Sequence, residues 1–140
     1  MVISKDLFHS DKSVVISALK VLSSSRVENI NVELQSLYKN SPDDVKAKIL
    51  DFIRVNPNVV YASMLENYYR EEKSDFLKMR VLLAAGSVAK LDSGLLQFIR
   101  GKSGYEESRL DVRSQAIEAL AIAQDFEHLI NLWQDFSKIE

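Results

Sequence analysis

The side chains that most often carry catalysis or bind metals are scarce in this chain. None of its 140 residues is a cysteine, which excludes a thiolate nucleophile, a disulfide framework and a zinc–thiolate site. Its two histidines, His9 and His128, lie at opposite ends of the sequence without the spacing of a metal-binding helix. Adjacent acids occur at 43/44, 71/72 and 106/107, but at helix starts and in loops such acids are usually solvated. We therefore expect no metal, no cofactor and no enzymatic activity.

A second set of polar residues recurs at a fixed distance from a leading leucine. The leading residues are Leu34, Leu65, Leu95 and Leu129. Five positions after them lie Lys39, Arg70, Arg100 and Gln134, and two positions after them lie Ser36, Asn67, Gln97 and Asn131. Aligned on one surface, these side chains would form a polar row with a basic edge. Such a row suits an acidic peptide, a phosphate-bearing ligand or a nucleic-acid backbone. Alternatively, the cations only complement the dipoles of helix C-termini, and no partner is needed to explain them.

These residues belong to the second of two apolar helices in a unit that occurs four times. The second helices contain Leu34-x-x-Leu37-Tyr38, Leu65-x-x-Tyr68-Tyr69, Leu95-x-x-Phe98-Ile99 and Leu129-x-x-Leu132-Trp133. The first helices carry apolar pairs four residues apart, Val14/Ala18, Val45/Ile49, Met79/Leu83 and Val112/Ala116, and begin 31, 34 and 33 residues apart. This period is typical of stacked helical repeats. The sequence predicts an all-α domain over 1–140, with repeats at about 9–40, 41–73, 74–107 and 108–140.

Helix-start residues recur in step with the repeats. Ser41 precedes Pro42 and two acids, Asn56 precedes Pro57, and Ser74 precedes Asp75. Asp92 or Ser93, then Ser108 with an acid three residues later, and then Asp125 stand before the later segments. Only four glycines and two prolines occur, which favours helices joined by short connections. We predict helices near 11–23, 29–39, 42–54, 57–72, 75–90, 93–101, 109–123 and 126–138.

Composition limits the partners and the location of the protein. The net charge of −2 and pI near 5.7 give no general attraction to nucleic acid or to an anionic membrane. No apolar run approaches the roughly 20 residues of a membrane span. We expect a cytoplasmic protein.

Two first-helix segments resemble a known repeat family. Asp44-Val45-Lys46 and Asp111-Val112-Arg113-Ser-Gln-Ala116-Ile-Glu-Ala119-Leu120 are similar to the first helix of HEAT-like repeats, especially the short bacterial kind first noted in phycobilin lyases. Lys46, Arg80 and Arg113 occupy the basic position of that pattern, whereas repeat one has Val15 there and repeat three has Lys78 at the acidic position. The resemblance implies a right-handed α-α superhelix, or solenoid, of about four HEAT-like hairpins whose second helices line its concave side.

Three functions are compatible with this resemblance. The first is a non-catalytic scaffold that binds a protein partner on its concave surface through Lys39, Arg70, Arg100, Asn67, Gln97, Asn131 and Gln134. The second is a nucleic-acid binder with a basic concave ridge, because some HEAT-like arrays are DNA glycosylases. The third is a bilin lyase or its chaperone, although no residue here carries that activity over. We expect the first, with nucleic acid disfavoured by the acidic pI, and we expect the chain to be part of a longer array.

Overall fold

The computed structural model describes residues 6–24, 30–104, 107 and 109–137. Throughout these residues the regular secondary structure is helical and contains no strand, which confirms the prediction of an all-α fold. One 3₁₀ turn, Val59–Tyr61, precedes the fourth helix. No helix in this part of the chain has the length and apolar character needed to cross a membrane. The helices are α1 (Lys12–Ser24), α2 (Asn31–Lys39), α3 (Asp43–Val55), α4 (Ala62–Glu71), α5 (Asp75–Ala89), α6 (Ser93–Ser103), α7 (Leu110–Ile122) and α8 (Phe126–Ser137).

The helices lie where the sequence predicts them, with small differences at their ends. Pro57 does not begin a helix, because the side chain of Asn58 caps the 3₁₀ turn by accepting from Val60 N. Ser74 and Asp92 cap α5 and α6 as predicted, each accepting a backbone N–H three residues ahead. Helix α6 continues two residues beyond its predicted end, to Ser103.

The predicted capping role of Ser41 is wrong. Its hydroxyl donates to the carbonyl oxygen of Leu37 at 2.5 Å, so it closes the end of α2 instead of opening α3. The residue at the start of α3 is Pro42, in an extended conformation and without a side-chain cap. The acids that follow it still favour the positive end of the helix. Ser108, predicted to play the same part before α7, lies outside the described residues.

The first helices of the four repeats pack against one another in chain order. Helix α1 contacts α3, α3 contacts α5, and α5 contacts α7. The second helices α2, α4 and α6 contact the first helix of the following repeat, and α4 also contacts α6. Helix α5 touches α3, α4, α6 and α7, so it is the centre of the described structure.

The leading apolar residues of the second helices form much of the core. Leu34, Leu65 and Leu95 are almost completely buried, while Leu129 is partly buried and packs against the same core. Burial is less uniform four residues after the leading leucine. Tyr38 and Tyr69 are buried at this position, whereas Trp133 is 70% exposed.

The apolar pairs predicted to face the core from the first helices are fully buried in repeats two and four but only partly buried in repeats one and three. Val45/Ile49 and Val112/Ala116 are buried, and so is Ala18, while Val14 and the pair Met79/Leu83 are only partly buried. Helix α5 is covered on several sides, so its deepest residues are not confined to one stripe. They include Leu77, Val81, Leu82, Ala84, Ala85 and Val88.

The contact between α5 and α7 requires a glycine at position 86. A Cβ atom placed on Gly86 would lie 2.6 Å from the carbonyl oxygen of Ala119 and 3.0 Å from its Cα. Both are backbone atoms of the neighbouring helix, so no side-chain rotation could relieve the overlap. The two helix backbones therefore approach more closely than any larger residue permits.

We expect Gly86→Ala to lower the free energy of unfolding by about 1–3 kcal/mol, the usual cost of overpacking a well-filled core. The measurement is urea denaturation followed by far-ultraviolet circular dichroism. Gly101→Ala is the matched control, because Gly101 also lies in a helix but has no atom within 4 Å of its added Cβ. The control should keep or increase stability by up to about 1 kcal/mol, since alanine favours helix. Equal stability of the two variants would contradict the close approach.

Candidate functional site

The residues of the predicted polar row lie on α2, α4, α6 and α8, and most of them are exposed. Asn67, Gln97, Asn131 and Gln134 are exposed on α4, α6 and α8. The three aligned cations differ from one another, because Lys39 and Arg70 are exposed whereas Arg100 is partly buried. Their hydrogen bonds decide which of them remain available to a partner.

Arg100 is held by a carboxylate of the last repeat. Its Nε and one terminal nitrogen donate to the two oxygens of Asp125 at 2.7 and 2.9 Å. The Asp125 side chain is only 8% exposed, and these hydrogen bonds from Arg100 hold its pKa below the usual range. This two-point contact ties α6 to the start of α8 and occupies the guanidinium group.

Arg70 is engaged within its own helix. One terminal nitrogen donates to Glu66 Oε1 at 3.1 Å, four residues earlier on α4. The arginine is well exposed, so a pair of this kind is weak and readily exchanged. Two of the three aligned cations thus have acidic partners inside the chain.

Lys39 and Asn67 lie together at a groove between α2 and α4, which we call the α2/α4 groove. It consists of two adjoining pockets of about 270 and 170 Å³ that share Lys39, Tyr68 and Glu71. The smaller pocket is lined only by residues of α2 and α4, whereas the larger one also includes Glu72 and Lys73 from the turn between α4 and α5. The remaining lining residues are Gln35, Tyr38, Lys46, Ser63, Met64, Asn67, Glu72 and Lys73.

Two stacked tyrosines hold the two sides of the groove together. The rings of Tyr38 and Tyr68 are nearly parallel, with centroids 3.9 Å apart and an interplanar angle of 10°. The hydroxyl of Tyr68 donates to the carbonyl oxygen of Gln35 at 3.3 Å. Burial raises the pKa of Tyr68 to about 12, with a further contribution from the charge of Glu71. Both rings are at least 95% buried, so their faces are used by the fold.

A polar cluster closes the end of the groove beside the α4–α5 turn. The hydroxyl of Tyr38 donates to Glu72 Oε2 at 3.0 Å, and Lys46 Nζ lies 3.6 Å from the same oxygen. Lys46 also lies over the Tyr38 ring, 5.1 Å from its centroid. Burial, and then the hydrogen bond to Glu72, raise the pKa of Tyr38, so this hydroxyl remains a donor. Lys46, the basic residue of the repeat pattern, is therefore engaged in contacts within the folded chain.

Two other lysines at the groove form no such contacts within the described part of the chain. Lys39 and Lys73 are exposed, and among the described residues neither ammonium group has an ion-pair or hydrogen-bond partner. Glu71 is the exposed acid beside them. Lys73 is absent from the predicted row, which was aligned on the leading leucines. It follows Lys39 by 34 residues, one repeat period, and an alignment on the turns would have found it.

The described residues offer no alternative site with obvious reactivity. No group of three or more His, Asp or Glu side chains among them could hold a metal ion. Nδ1 of His9 accepts the backbone N–H of Asp11, a local contact at the start of α1. Glu106 of the third acid pair lies outside the described residues, while Asp44 forms an exposed ion pair with Lys12.

Comparison of the chain with protein-family models, with curated proteins and with solved structures gives no match. Functional inference therefore depends on the groove and its side chains.

The different environments of the two arginines lead to a measurable prediction. We expect Arg100→Gln to lower the free energy of unfolding at pH 7 by about 1–3 kcal/mol, because it leaves a poorly exposed carboxylate without its charged donor. Arg70→Gln is the control and should cost at most about 0.5 kcal/mol. Urea denaturation of both variants and the parent chain provides the comparison.

The effect of Arg100→Gln should also depend on pH. Because the pKa of Asp125 is lowered in the folded chain, its contribution to stability is present at neutral pH. It is lost as the pH falls below about 4, where the unfolded chain binds the proton first. The difference between Arg100→Gln and the parent chain should therefore shrink between pH 6 and pH 3. A difference that stays constant over this range would contradict the assignment.

Proposed function

We propose that the chain is a non-catalytic interaction module of the HEAT-like type, with its hairpins stacked as a right-handed solenoid. It binds an extended segment of a protein partner on the surface formed by its second helices, and it acts as a scaffold in the cytoplasm. Support for the stacking comes from the repeat period and from the contacts between successive first helices, α1 to α3, α3 to α5 and α5 to α7.

The observation that carries the proposal is the α2/α4 groove. It brings the sequence-predicted Lys39 and Asn67 to one depression, together with the amide of Gln35 and the hydroxyl of Ser63. A row of exposed donors and acceptors along a shallow groove can bind the backbone and side chains of an extended chain segment. The stacked tyrosines below it make the groove part of the folded structure.

The intramolecular ion pairs weaken the case for nucleic acid. Binding of a phosphate backbone gains affinity with each cation that it can neutralise. Arg100 is held by Asp125 at two points, and Arg70 would first have to give up its exposed pair with Glu66. Lys39 is the one aligned cation without an acidic partner among the described residues. So few unpaired cations along the aligned set are a poor match for a polyanion, and a protein segment is the better candidate.

A peptide-display selection tests this function. The intact chain is immobilised and used to select from a phage library of random 16-residue segments. Individual clones are then synthesised and measured by fluorescence anisotropy against Asn67→Trp, which fills the smaller pocket with a bulky ring. Because Asn67 is exposed, this substitution should leave the fold intact, as circular dichroism can verify. We expect binding to fall at least about tenfold, a loss of about 1.4 kcal/mol.

The control is Ser114→Trp, which adds the same ring to an exposed position of a first helix, α7. It should leave the affinity of the selected segments unchanged. The proposal fails if the library yields no segment that binds in solution, or if the two tryptophan variants bind the selected segments equally well.

A further inference from the structure

We infer that the segment recognised by the α2/α4 groove is acidic, with its carboxylates held between Lys39 and Lys73. This inference rests on the proposed function and names the chemical class of its ligand. The two lysines line the same pocket of about 270 Å³, Lys39 from the end of α2 and Lys73 from the turn after α4.

Some of the charged side chains around this pocket are paired with each other, and others have no partner among the described residues. Lys46 and Glu72 neutralise each other at 3.6 Å, and both side chains are largely buried. Lys39 and Lys73 are exposed, and no partner for either is found in the described part of the chain. The electrostatic attraction for a carboxylate of the ligand therefore comes from these two lysines, because the Lys46–Glu72 pair carries little net charge.

Glu71 opposes an acidic ligand and thereby limits its affinity. It lines both pockets of the groove, and its negative charge helps to raise the pKa of Tyr68. A carboxylate bound in either pocket would therefore lie near this negative charge. Removing the charge of Glu71 should therefore tighten binding of an acidic segment, an effect that a purely structural role for the groove does not produce.

The aromatic residues argue for a peptide over a single-stranded nucleic acid. Proteins that bind single strands use exposed aromatic faces on which the bases stack. Here Tyr38 and Tyr68 stack on each other and are at least 95% buried. What the groove offers beside its lysines are amide and hydroxyl groups of Gln35, Asn67 and Ser63, which suit a peptide backbone.

The test uses two fluorescein-labelled 12-residue peptides, one alternating Glu and Ser and the other alternating Gln and Ser. Fluorescence anisotropy is measured with the full chain at low and at high salt. We expect the Glu peptide to bind more tightly than the Gln peptide and to weaken with salt. Lys39→Gln and Lys73→Gln should each weaken its binding about threefold to fivefold, as for a partly screened ion pair. Glu71→Gln should tighten it by about the same factor.

Lys90→Gln is the matched control, because Lys90 is an exposed lysine at the end of α5, outside the residues that line the groove. It changes the net charge of the chain by the same amount and should leave the affinity unchanged. The inference is overturned if Lys90→Gln weakens binding as much as Lys39→Gln, or if the Glu and Gln peptides bind equally. It is also overturned if a labelled 12-nucleotide oligo-dA binds more tightly than the Glu peptide and loses affinity in the same two lysine variants.

Failure of this inference can be told apart from failure of the proposed function. If selected segments bind the parent chain and lose affinity with Asn67→Trp while the Glu and Gln peptides do not differ, the groove binds peptides but does not select acids. If neither the selected segments nor the Glu peptide binds, both the function and the ligand class are wrong.

Discussion

The packing of α5 against its neighbours is the constraint on which the rest of the described structure depends. This helix contacts α3, α4, α6 and α7, and small residues make the contact with α7 close. At Gly86 the backbone of α7 occupies the space that a side chain would need. Ala84 and Ala85 are likewise almost fully buried. A larger residue at position 86 would push the backbone of α7 away from α5.

Ion pairs between successive first helices have a different role from the core. Among the described residues, an ion pair with a nitrogen–oxygen distance of 2.8–2.9 Å links each two successive first helices. The pairs are Lys12 with Asp44, Arg80 with Asp51, and Arg109 with Asp75. All six side chains are substantially exposed, so each pair contributes little net stability. Their effect is that basic and acidic side chains of successive repeats are paired with each other. The formal count of basic residues therefore overstates the charge available to a partner.

The helices and much of the core follow from local rules in the sequence. Apolar spacing and capping residues such as Ser74 and Asp92 act within a few positions, so the helix bounds were predicted closely. The fate of the aligned cations depends on distant residues and was not predictable in the same way. Arg100 meets an acid 25 positions away, and Lys73 reaches the groove through the turn after α4. The hydroxyl of Ser41 bonds backward because the carbonyls at the end of α2 also need donors.

The shared aromatic position of the second helices shows how context decides the environment of one residue type. Tyr38 and Tyr69 are buried, and Lys46 and Lys78 lie over their rings at 5.1 Å. Trp133 is 70% exposed at the equivalent position of α8. It is the sole tryptophan of the sequence, so the indole emission of the folded chain reports on water and not on the core. Intrinsic tryptophan fluorescence will register the arrival of a molecule at α8 far more readily than it registers unfolding.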